Sequence, residues 1–182
     1  MSRLRLLAFG ASIAVGASLV AAVVHTGALA SQGPQLRVPT GEQVNGISCD
    51  AMEGQRLHIH QHLVVFDHGK EIAIPANIGI PEGKNCLYWV HTHTPDGIIH
   101  IEAPLDRTFT LADFFRIWAQ PLSRTTAANA HADKGTTLKV WLDGKPYTKD
   151  PGTIPLTAHA DIVIEAGPPF PKPPRFTNWG RL

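Results

Sequence analysis

The sequence predicts a single, mainly β domain of barrel or sandwich type with one packed α-helix. Three observations carry that expectation. Apolar and polar residues alternate through short runs, of which Leu57 to Phe66 is the strongest, and a period of two marks a half-buried strand. Turn-forming clusters such as Asp67-His68-Gly69-Lys70 and Asp143-Gly144-Lys145-Pro146 separate the runs. One stretch, Leu111 to Trp118, instead carries its large apolar residues at helical spacing. The 182 residues suit one compact domain with appendages.

Residues 1–30 have the form of an export signal. Arg3 and Arg5 give a short basic region, Leu6 to Val24 is apolar without charge, and Ala28-Leu29-Ala30 is a small-x-small cleavage site. The apolar run also approaches the length of a membrane span, so an uncleaved segment would act as an anchor. Cleavage fits better, because His25, Thr26 and the Ala-Leu-Ala break resemble a cleavage region more than a stop. The expected location is therefore outside the cytoplasm, secreted or periplasmic, with no membrane contact after cleavage. Without Arg3 and Arg5 the chain keeps fourteen basic against fifteen acidic residues. A nearly neutral protein offers no electrostatic surface for nucleic acid and names no protein partner.

Residues 31–45 are polar, with Gly and Pro, and are expected to be a linker; the β domain proper is expected over 46–167. Leu57 to Phe66 is its first strand, followed by the Asp67–Lys70 turn and a partner strand from Glu71 to Pro75. Pro75 to Pro81 is loop, Cys86 to His93 the next strand, Thr94–Gly97 a turn, and Ile98 to Glu102 its return. Thr110-Leu111-Ala112-Asp113 resembles a helix-capping sequence, with Asp in place of the usual Glu. Leu111, Phe114, Phe115 and Trp118 then form an apolar stripe that fits core packing, and Pro121 closes the helix. Thr137 to Leu142 and Asp161 to Glu165 supply further strands. Residues 168–182 form a proline-rich tail, expected to be an extended surface strap.

Chemistry concentrates in three of these strands. His58, His60 and His62 alternate, His91 and His93 alternate, and His100 is two residues before Glu102. Residues two apart on a strand share a face, so each stretch presents a column of imidazoles or an imidazole beside a carboxylate. Imidazole is the commonest ligand of zinc, copper, iron and nickel, and a carboxylate often completes such a set. The expected ligand core is His60, His62, His91 and His93, with His100 and Glu102 next and His58 in reserve. Seven groups exceed the three or four protein ligands of one ion; the surplus could orient ligands, hold a second ion or relay protons. Large apolar residues (Phe66, Trp89, Ile98) run on the same faces, as in a half-buried pocket.

One register is open. If the Thr94–Gly97 loop has an even number of residues, His91 lies across from His100 and both face one way. A three-residue loop with a bulge at glycine would turn His100 and Glu102 to the opposite face. His68, His131 and His159 have no clustered neighbours and read as surface residues.

Cys49 and Cys86 are the only cysteines, and export favours a disulfide between them. Closing a loop of thirty-odd residues would contribute about 3–4 kcal/mol on the chain-entropy account. The rival is Cys86 as a copper ligand, which calls for a nearby axial methionine; outside the leader the chain has only Met52.

Two resemblances follow from these residues. His60-Gln61-His62 followed by Asp67 resembles the first metal motif of cupins, which are double-stranded β-helix proteins. Cupins carry Glu after His-x-His at a slightly shorter spacing, and a second motif with Pro-x-Gly before one distant His; here the second cluster is His-Thr-His. A fuller pattern joins the His-x-His-x-His strand, Ile74-Pro75-Ala76-Asn77-Ile78-Gly79-Ile80, His91-Thr92-His93 before Ile99-His100-Ile101-Glu102, and Leu111-x-x-Phe114-Phe115. It resembles a family of secreted, histidine-rich bacterial and archaeal proteins over roughly residues 46–167, and brings no activity with it.

The sequence thus points to extracytoplasmic binding of a transition metal. Copper and zinc lead, iron and manganese are open, and the lack of methionine clusters argues against a dedicated Cu(I) carrier. The second class is a mononuclear metalloenzyme, a cupin-like oxygenase or hydrolase, with an open position and Glu102 as general base or ligand. The third is an interaction module carried by the proline-rich tail, with histidines that only sense pH. No Gly-rich phosphate loop and no nucleophile elbow occur.

Overall fold

A computed structural model describes residues 36–182. The expected signal segment 1–30 and the first part of the linker lie outside the described residues. Among the described residues the fold is mainly β with a single α-helix. The first half of the domain supplies β1 (Cys49–Asp50), β2 (Leu57–Asp67), β3 (Lys70–Ile72), β4 (Leu87–Tyr88), β5 (Val90–His91) and β6 (Ile98–Ala103). The second half supplies α1 (Leu111–Ile117), β7 (Thr126–Ala127), β8 (Ala130–His131), β9 (Lys139–Leu142), β10 (Lys145–Pro146) and β11 (Asp161–Ala166).

Seven strands form the principal sheet, in the order β10-β9-β11-β2-β6-β5, with β3 added along β2. All pairings are antiparallel except β11 with β2, which run parallel from Asp161↔His62 to Ala166↔Asp67. The alternation in β2 divides the sheet into two faces. Leu63, Val65, Ile99, Ile101, Ile162 and Ile164 face the core and are essentially fully buried. The opposite face carries His58, His60 and His62, paired with Glu102, His100 and Ile98 respectively. Gln61 breaks the apolar pattern: it is buried on the core face with neither amide atom hydrogen-bonded.

The expected β2–β3 hairpin forms around His68 and Gly69, both with positive φ (48° and 80°), as a two-residue primed turn requires. Asp143 and Gly144 repeat the device (52° and 72°) and join β9 to a short β10. The helix starts where its cap predicts, with the Thr110 N–H donating to the Asp113 carboxylate at 3.0 Å. It stops at Ile117, four residues before Pro121, because Ala119 turns left-handed at φ 54°. Leu111, Phe114 and Phe115 pack into the core cluster, with Trp118 at its margin.

The stretch expected as one strand, Cys86 to His93, is two strands that change partner at Trp89. β4 pairs with β1 (Cys49↔Tyr88), and β5 pairs with β6 (His91↔His100). Between them the Trp89 N–H donates to Ser48 and its carbonyl accepts from Glu102. Side-chain parity is lost there: Tyr88 and Trp89 are both buried in the core, and the Trp89 indole donates to Asp50 at 2.6 Å. Trp89 is therefore no floor to the histidine column. Cys49 and Cys86 form a disulfide beside this crossing.

The tail, residues 168–182, lies on the histidine-bearing side of the sheet. The Lys139 ammonium sits 3.6 Å from the Phe170 ring centroid, and Arg175 pairs with Asp161 at 3.1 Å. Phe176 stacks on His62 and Trp179 on His159. Part of the expected linker also packs: Tyr88 Oη donates to the Glu42 carbonyl and accepts from the Gly41 N–H. No helix among the described residues is long and apolar enough to cross a membrane.

Candidate metal centre

Three adjacent strands build the site, with β6 in the middle. The pairing His91↔His100↔His60 settles the register: these residues, with His58 and Glu102, share one face. The loop from 92 to 99 therefore keeps even parity, and a glycine bulge does not reverse it. Beyond the end of β5, His93 brings its ring to the same cluster, T-shaped against His91 and His100 with centroids 4.6 Å from each.

The donors fall into two overlapping sets whose atoms all lie within 4.8 Å of one another. One is His58, His60, His100 and Glu102; the other is His91, His93, His100 and Glu102. The His/Glu groups are thus close enough to hold a metal ion. Glu102 is the hub. Its Oε1 is 3.3 Å from both His58 Nε2 and His100 Nδ1, and its Oε2 is 3.7 Å from His91 Nε2. Although the carboxylate is only 3% exposed, Oε2 has no hydrogen-bond partner among the described residues.

His91 is oriented from behind. Its Nδ1–H donates to the Tyr88 carbonyl at 2.8 Å, which fixes the tautomer and leaves the Nε2 lone pair facing the cluster. His93 Nε2 lies 3.1 Å from that atom and donates to it. Two nitrogens bound to one tetrahedral ion at 2.0–2.1 Å sit roughly 3.3 Å apart. The 3.1 Å between the His91 and His93 nitrogens, a hydrogen-bond distance, is close to that spacing.

The electrostatics agree. Burial pushes His91 down to about 4, against a smaller upward pull from Glu102. Burial likewise takes His60 to about 4, helped by the neighbouring charges of His100 and His58. Both imidazoles are neutral at pH 7, the form that binds metals. Burial would raise the Glu102 carboxyl, but hydrogen bonding from His100 and the fields of His91 and His58 outweigh it, and its pKa is lowered. The result is a carboxylate beside two imidazoles, His60 and His91, that are neutral at pH 7.

His62 is placed elsewhere. Its Nδ1–H donates to Asp161 at 3.1 Å, and its ring stacks on Phe176 at 4.1 Å, so it belongs to neither donor set. The cause is the parallel β11 strand, which sets Asp161 beside it. His159 is a surface residue, as expected, and sits just before this strand. Its backbone N–H donates to the His60 carbonyl at 2.7 Å. No signal near His159 in the sequence reveals this, because β2 and β11 are about a hundred residues apart. His68 bridges Asp67 and Asp133 on the surface, and those two hydrogen bonds raise its pKa. Cys86, held in the disulfide, is not a thiolate ligand.

A cavity of about 320 Å³ is lined by Arg124, Lys139, Trp141, Tyr147 and Lys149, and by none of the cluster residues. No protein-family model, curated protein or solved structure matches the chain.

Proposed function

We propose that this is an extracytoplasmic transition-metal-binding protein whose ion is held by the histidines around Glu102. The observation that carries the reading is the Glu102 carboxylate: it is buried among five imidazoles and has an oxygen without a hydrogen bond among the described residues. A buried carboxylate oxygen left unpaired is costly, and a cation shared with the facing Nε2 atoms offsets that cost. Nitrogen donors with one carboxylate favour copper or zinc over calcium or magnesium, and copper stands highest in the affinity order. The disulfide supports an oxidising compartment, as does the leader in the sequence.

The test is elemental analysis of the full chain, expressed into its own compartment and purified without a tag or chelator. Copper or zinc bound at whole-number stoichiometry, and lost in a His60→Ala/His91→Ala double variant, is the expected result. Protein that carries no metal and takes up none at micromolar concentration would overturn the reading.

A further inference from the structure

We propose that the cluster is built for two metal ions bridged by the Glu102 carboxylate, one held by His58 and His60, the other by His91 and His93. The inference rests on the metal-binding reading and extends it. His100, shared by both donor sets, completes the coordination of one of the two ions.

Three observations converge. The first is topological. β6 lies between β2 and β5, so the two histidine pairs approach from opposite sides of the strand that carries Glu102 and His100. Neighbouring strands are about 4.8 Å apart, which puts the outer pairs on strands roughly 10 Å from each other. The donor atoms fall accordingly into two sets within 4.8 Å, each pair closing with His100 and Glu102 and not with the other pair, which suits two ions about 3.5–4 Å apart.

The second is the direction of the carboxylate. Oε1 faces His58 and Oε2 faces His91, at 3.3 and 3.7 Å. Each oxygen is thus offered to a different histidine pair, as in a carboxylate that bridges two ions. The hydrogen bond from His100 goes to Oε1, and Oε2 is the buried oxygen without a partner.

The third is the number of donors. Five histidines and a glutamate are too many for one ion, which takes three or four protein ligands. Split at Glu102, they give each ion two histidines and one carboxylate oxygen, with His100 to spare for either. The four-residue sets overlap only in His100 and Glu102, the two residues of the central strand.

The experiment is a titration of the metal-free full chain, disulfide intact, with Cu(II) alone, followed by equilibrium dialysis and electron paramagnetic resonance. Two coppers per chain are expected. As the second enters, the spectrum should gain a half-field transition or lose intensity, either of which reports coupling between close ions. His58 and His93 are both exposed, so His58→Ala and His93→Ala remove one ligand each without opening the core. Each variant should retain one copper with an uncoupled spectrum, its fold checked by circular dichroism. A single copper in the unaltered chain would overturn the bridged pair and leave the metal-binding reading standing. Two coppers with an uncoupled, full-intensity spectrum would also overturn the bridge. No bound copper would sink both.

Discussion

The Nδ1–H of His91 donates to the backbone carbonyl of Tyr88, three residues earlier, at 2.8 Å. The bond is local, yet it depends on a long-range event. The chain changes partner at Trp89, between β4 and β5, and the departure from regular alternation leaves the Tyr88 carbonyl available to the imidazole. An imidazole oriented by the backbone cannot lose its partner to a side-chain substitution, and its Nε2 lone pair is aimed at the cluster. On the proposed metal-binding reading, that preorganisation reduces the cost of binding.

The same burial that orients His91 gives the metal-free protein a characteristic acid sensitivity. His60 and His91 titrate near 4 when folded and near 6.5 when unfolded. Their stabilising contribution is complete above about pH 6.5 and falls as pH drops towards 4, because only the unfolded chain takes up protons in that window. Below about 4 both states are protonated at these positions and the loss levels off. His91, fully buried, should account for on the order of 3 kcal/mol, and His60 for less. The groups facing these rings are His58, His93, His100, His159 and Glu102. Urea unfolding of the metal-free protein at intervals from pH 7 to 4 checks this, with metal-loaded protein expected to hold its stability further down. Stability that does not change between pH 6.5 and 4.5 would contradict the burial of these imidazoles.

Gly97 sets how closely the β5–β6 connection approaches β2. It adopts φ 78°, and a Cβ there would lie 2.3 Å from the Leu63 carbonyl oxygen. Gly97→Ala should therefore cost about 2–3 kcal/mol, combining left-handed strain with a backbone clash. Gly83 also has a positive φ, 70°, but faces open space, so Gly83→Ala isolates the strain and should cost about 1 kcal/mol. Chemical denaturation of both variants separates the two terms; equal losses would refute the close approach.

The disulfide secures the other side of the crossing. Cys49 pairs across from Tyr88 in the β1–β4 ladder and bonds to Cys86, 37 residues away. A Cys49→Ser/Cys86→Ser double variant should lose about 3–4 kcal/mol. Because β4 leads directly into His91, metal affinity should fall as well. An unchanged urea midpoint would show that the crossing holds itself.

The histidine columns were legible in the sequence because strand parity is a local property. His58, His60, His100 and Glu102 share a face because each is two residues from the next on its own strand, and pairing His60 with His100 does the rest. What sequence could not supply lies in non-local pairing. The fate of His62 depends on β11, whose parallel register with β2 delivers Asp161 from 99 positions away. The break at Trp89 depends on β1 competing with β6 for the same segment. Pattern reasoning sees the period of a run, but it does not see where a run changes partner.

His62 offers the sharpest separation between holding a metal and holding the tail. Its ring lies between Asp161 and Phe176, and the same Asp161 accepts from the Phe176 N–H and pairs with Arg175. The tail is thus fastened to the sheet through one buried carboxylate and one imidazole. His62→Ala should leave the metal content of the chain unchanged and destabilise the domain by about 1–2 kcal/mol, from the lost hydrogen bond and ring stacking. Proteolysis of residues 168–182 should become faster in the same variant. Phe176→Ala should accelerate cleavage similarly, since it removes the other half of the stack. If His62→Ala instead loses metal in parallel with His60→Ala, the imidazole must leave Asp161 to join the cluster when an ion binds, and the fastening of the tail would be coupled to metal occupancy.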